Sequence, residues 1–73
     1  MTVELSIFSA DPEVHDAITR VPGSFRRLMA AIERLQRHGL RVYLKTVVMK
    51  PNIDGLAKLD RLGKDLGVVH PHL

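Results

Sequence analysis

Cysteine is missing from this sequence altogether. That excludes disulfides and thiolate ligands for zinc or an iron–sulfur cluster. Aromatic residues are scarce: Phe8, Phe25 and Tyr43 are all there are. So few rings provide no platform on which single-stranded nucleic acid could stack. No apolar run approaches the roughly 20 residues of a membrane-spanning helix. The N-terminal stretch carries Glu4 and no basic segment, unlike a secretory signal. These absences together fit a cytoplasmic protein. The charge is only mildly one-sided, 11 Lys and Arg against 8 Asp and Glu, a net +3. Arg26, Arg27, Arg34 and Arg37 account for much of that excess. They lie along the polar side of one expected helix, as a solvated helix face does, which argues against a nucleic-acid surface.

What is present centres on the run from Val3 to Phe25. Val3, Leu5 and Ile7 alternate with Glu4, Ser6 and Phe8, the pattern of a half-buried strand. Asp11-Pro12 breaks the strand and opens a short helix over 12–19, with Asp11 as cap and Pro12 in the first turn. Pro22-Gly23-Ser24 breaks the chain again, and Ser24 is placed to cap a helix from Phe25 to His38. Phe25, Leu28, Met29, Ile32 and Leu35 form its apolar stripe, and Glu33 can pair with Arg37 on the wet side. Gly39 supplies a left-handed end.

A second strand is expected over Arg41–Met49. It is rich in β-branched residues and apolar on both faces, with Pro51 ending it. A helix follows over Leu56–Leu66, with Leu56, Leu59, Leu62 and Leu66 inward and Gly67 as its cap. A third strand is expected over Val68–His70. The order strand, helix, strand, helix, strand implies an α/β fold, a parallel three-stranded sheet with its helices on one face. The 73 residues amount to one small domain, 1–73. A chain of this size buries only about 60% of its unfolded surface. The opposite sheet face, with Glu4, Ser6, Phe8, Tyr43, Lys45, Val47 and Met49, would have no cover, and both sheet edges would be bare. The fold is therefore expected to be incomplete, with self-association possible through those edges.

Several segments carry a family resemblance. Ser6-Ile7-Phe8-Ser9, His15-Asp16, Gly23-Ser24-Phe25, Leu40-Arg41-Val42, Leu44-Lys45-Thr46-Val47-Val48-Met49, Asn52 and Leu66-Gly67-Val68 follow in order. The series resembles the radical S-adenosylmethionine enzymes, near the SPASM-type branch that modifies peptides. It covers nearly the whole chain. The resemblance implies the fourth and fifth strand–helix units of a partial (β/α) barrel, plus the start of the sixth strand: about half of that barrel. It also implies S-adenosylmethionine and a [4Fe-4S] cluster as cofactors and a peptide substrate for the complete enzyme. The family's Cys-x3-Cys-x2-Cys loop, which holds the cluster, is absent, as is the cysteine-rich extension. The chain thus reads as a truncated product, a gene remnant or an excised fragment, inactive alone.

Under the resemblance, Ser6, Ser9 and Asn52 would contact S-adenosylmethionine, and Lys45 an acidic group of substrate or cofactor. Phe8 stands where the family commonly has Asp or Tyr. Each candidate also has a plain structural reading. Ser6 suits an exposed strand face, Asn52 a turn or helix cap, and Lys45 a stem lying on apolar surface with its charge in water. His15 and Asp16 are adjacent on a helix and cannot face each other. They are expected to order the loop, for example through an Asp16–Arg20 pair. His70 and His72 lack a third metal ligand of suitable spacing. No catalytic or metal-binding residue is assigned. The function expected is one wall of a cofactor and substrate cavity in a radical S-adenosylmethionine enzyme. The alternative is a non-catalytic α/β module that oligomerises through its open sheet.

Overall fold

The computed structural model describes residues 2–68. Its elements are β1 (Thr2–Ser6), α1 (Pro12–Thr19), α2 (Ser24–Arg37), β2 (Arg41–Lys45), a 3-10 turn (Ile53–Gly55) and α3 (Leu56–Leu66). β1 and β2 pair in parallel, in register from Thr2 beside Arg41 to Ser6 beside Lys45. Two helices lie between these strands in sequence, so the connection is a β-α-β crossover, as the Gly-punctuated pattern implied.

The helix starts and stops follow local chemistry. Asp11 is extended, and its Oδ1 accepts the Glu13 N–H at 2.9 Å, with Pro12 in the first helical position. α2 ends at Gly39, whose φ of +77° is left-handed. The Gly39 N–H bonds back to the Gln36 carbonyl and the Leu40 N–H to the Leu35 carbonyl, closing the last turn. α3 ends the same way at Gly67.

Both long helices pack on one sheet face. Ile7, Val42 and Leu44 from the strand segments, Ile32 from α2 and Leu59 from α3 form the fully buried core. Phe25, Leu28, Met29 and Leu35 of α2 and Leu56, Leu62 and Leu66 of α3 surround it. The Gln36 Nε2 donates to the Leu66 carbonyl at 2.8 Å, joining the C-terminal ends of α2 and α3. On the opposite face Glu4, Ser6 and Lys45 are exposed; Val47, beyond the end of β2, is 51% exposed. Half-buried Tyr43, in register with Glu4, also faces that way.

Three expectations need correction. The sheet has two strands among the described residues, not three. The proposed third strand falls mainly on 69–70, outside them, and Val68 is not in a strand. β2 ends at Lys45 rather than Met49. The last ladder contact is Ile7 N–H to the Lys45 carbonyl. Beyond it, the Phe8 N–H turns to His15 Nδ1 and the Met49 N–H to Asn52 Oδ1, so strand-like composition continues where strand pairing does not. Finally, α2 begins at Ser24, with Gly23 rather than Ser24 in the capping position and no capping bond from its own side chain.

Candidate functional site

The polypeptide leaves β1 and β2 on the same side, since the strands are parallel. Side chains from the two exit loops meet there. Crevices at strand C-terminal ends are the usual ligand sites of α/β sheets. Ser9 and Asn52, both buried, line one cavity of about 250 Å³ together with Asp11, Asp54 and Lys58. An adjoining, more apolar groove of about 540 Å³ is formed by Val14, Ala17, Ile18, Met49 and Pro51, with Glu13 and Arg20 contributing charge. Val14 and Pro51 line both.

Much of the polar capacity of these residues is committed to the loops. Ser9 Oγ accepts the Asp11 N–H at 3.0 Å and so sets the turn into α1. Asn52 Oδ1 accepts the Met49 N–H at 2.7 Å, and its Nδ2 donates to the Val47 carbonyl at 3.0 Å. Asn52 therefore performs the turn role read for it in the sequence. Ser6 and Lys45 lie elsewhere: they are register partners, both exposed on the open sheet face. The four candidates thus form two pairs, Ser9 with Asn52 at the strand exits and Ser6 with Lys45 on the bare face.

His15 and Asp16 turn out to organise the first exit loop, by contacts that run in two directions. His15 is only 3% exposed. Its Nδ1 accepts the Phe8 N–H at 3.1 Å, and its ring lies between Phe8 and Phe25, with centroids 5.7 and 5.6 Å away. Phe8, expected on the open face, lies past the end of β1 and packs against this imidazole. Burial lowers the His15 pKa, and the Asp16 carboxylate opposes that shift only partly.

Asp16 reaches the start of α2 rather than Arg20. Its Oδ1 accepts the Phe25 N–H at 2.8 Å and the Ser24 hydroxyl at 2.9 Å, and its Oδ2 accepts the Gly23 N–H at 2.8 Å. Those backbone bonds, the one from Phe25 foremost, hold its carboxyl below the ordinary aspartate value. Asp16 thus caps a helix other than its own. No short-range spacing in the sequence announces this cap, because its partners lie seven to nine residues on.

One relative in a comparison with known proteins stands out. The chain is 35% identical over 71 residues to the AdoMet-dependent heme synthase of Methanosarcina barkeri (strain Fusaro / DSM 804). The aligned region is 97% of this chain but 20% of that protein, so the chain spans about a fifth of its relative's length. The match supports the radical S-adenosylmethionine resemblance and does not bear on the peptide-modifying branch. No family model and no solved structure matches.

The residues present do not fit an iron–sulfur cluster. There is no cysteine, and among the described residues no cluster of three or more His, Asp or Glu could hold a metal ion. S-adenosylmethionine is a different case. A buried hydroxyl, a buried amide, two carboxylates and a lysine converge on the polar cavity, a donor and acceptor set suited to its ribose, amine and carboxylate groups. No helix among the described residues is long and apolar enough to cross a membrane.

Proposed function

We propose that this chain is an arc of a radical S-adenosylmethionine enzyme, supplying one wall of its cofactor and substrate cavity. The observation that carries the reading is the match along nearly the entire chain to a much longer S-adenosylmethionine-dependent protein. The fold supports this reading: among the described residues, helices cover one sheet face and the other is open, as a barrel segment would be. Ser9 and Asn52 would hold part of S-adenosylmethionine at the strand exits, and Ser6 and Lys45 would face the barrel interior. In this family, reductive cleavage of bound S-adenosylmethionine supplies a 5′-deoxyadenosyl radical that removes a hydrogen atom from the substrate. This chain contributes binding and orientation and has no residues for the cluster.

For the substrate, the sequence pattern resembles peptide-modifying members, whereas the named relative makes heme. A tetrapyrrole precursor of heme is therefore the second reading, favoured by that 35% identity. Its apolar body suits the groove of Val14, Ala17, Ile18 and Met49, with Arg20 available to a carboxylate. The test is to sequence the genomic DNA on either side of the coding segment. An in-frame Cys-x3-Cys-x2-Cys upstream is the expected result; unrelated sequence on both sides overturns the proposal. Turnover of a carboxylated porphyrin against a peptide by the complete enzyme then separates the two substrates.

A further inference from the structure

Phe8, the residue before the cavity's Ser9, is bonded and packed by a histidine that does not itself line the cavity. His15 Nδ1 is the acceptor for the Phe8 N–H, the first backbone donor beyond the β1–β2 ladder. Only an imidazole with a bare Nδ1 can accept there, which requires the neutral ring with its proton on Nε2. A proton added at Nδ1 would set donor against donor and place a cation between two phenyl rings in a buried position.

We propose that His15 is a proton-released latch on the exit of β1. Unprotonated, it holds Phe8 and hence the adjacent Ser9 in place at the polar cavity; protonated, it lets that exit go while the helical core remains. The assignment of Ser9 to a ligand rests on the function proposed above, but the latch itself does not.

Neighbouring groups favour such a release. From the β1 side His15 meets the Phe8 backbone and ring, and from α2 the Phe25 ring, none of which titrates. The charged neighbour acting on it is Asp16, on its own helix. That carboxylate is already engaged by Gly23, Ser24 and Phe25. The anchor of α2 and the latch meet at Phe25, which gives its N–H to Asp16 and its ring to His15, but they use different titrating groups and so can fail at different pH.

The experiment is nuclear magnetic resonance on the 73-residue chain, with hydrogen-exchange protection measured at successive pH values. At neutral pH the His15 nitrogen shifts should report the Nε2-protonated tautomer, and the Phe8 amide should be protected. On acidification through and below the ordinary histidine range, Phe8 protection should fall roughly tenfold, the scale of one net hydrogen bond. The Ile32 amide should remain protected across this range, slipping only by the stability that protonating His15 removes. In a His15→Gln variant, which offers an acceptor that does not titrate, Phe8 protection should no longer follow pH in that range. The latch is overturned by an Nδ1-protonated neutral ring or by a Phe8 amide unprotected at neutral pH, including through an unfolded chain. It is equally overturned by Phe8 and Ile32 losing protection together, or by an unaltered pH response in the variant. Should His15→Gln not fold, the wild-type tautomer and protection data decide alone.

Discussion

Asp16 commits both carboxylate oxygens to the start of α2, and its ionised form is therefore favoured by the folded state. Its folded pKa lies below the ordinary 3.8. As pH drops below that value the unfolded chain takes up the proton first. The stabilisation is thus complete above 3.8 and is lost as pH falls toward the folded value. Replacing Asp16 with Asn should lower the urea midpoint at neutral pH and flatten this part of the acid profile. His15 acts with the same sign from a higher starting point. Its folded pKa lies below 6.5, so stability should begin to decline as pH falls below 6.5. Asn52 is a separate anchor. Asn52→Ala removes the partners of the Met49 N–H and the Val47 carbonyl and should cost about 1–3 kcal/mol in urea unfolding. Asn52 was readable as a turn former because Asn commonly makes such local bonds. The partners of Asp16 were not readable: they lie seven to nine residues away, on a different helix. A carboxylate that caps a neighbouring element leaves no short-range spacing in the sequence.

α2 illustrates how unevenly a helix distributes its stabilising contacts. Ile32 is fully buried at the middle of its apolar stripe, so Ile32→Ala should cost about 2–5 kcal/mol in equilibrium unfolding. One residue further on, Glu33 meets Arg37 at 3.2 Å with both side chains over 70% exposed. Glu33→Gln should therefore change stability by less than about 0.5 kcal/mol. This difference also explains what could be read in advance. The three-and-four spacing of Phe25, Leu28, Met29, Ile32 and Leu35 exposes the buried face directly, as do the leucines of α3. Strand length is less visible. Thr46 to Met49 have strand-forming side chains, but a strand also needs a paired backbone, and here the amides of Phe8 and Met49 turn to side chains instead. Which backbone groups pair across a sheet is a property of two distant segments, and neither contains it alone. The strand-exit loops were foreseeable as neighbours because parallel strands bring their C-terminal ends together.

The described residues form a layer of helices on a sheet of two strands, with a radius of gyration of 11.6 Å, near the ~11 Å of a compact chain this long. Among the described residues, the open face carries half-buried Tyr43 among polar groups, exposed Val47 lies just past the end of β2, and each strand has one edge without a partner strand. At raised concentration the isolated chain should associate, and Val47→Lys should shift that association to higher concentration in sedimentation velocity, since a charge there opposes face-to-face contact. A strictly monomeric chain at all concentrations would show that the face is already adequately solvated. The register has a further consequence during synthesis. Thr2 must wait for Arg41. At typical rates of about 5–20 residues per second, the first strand emerges from the ribosome some 2–8 s before its mate exists. In arrested nascent chains β1 should remain open to protease until β2 has emerged, and through that interval it is a natural client for a chaperone.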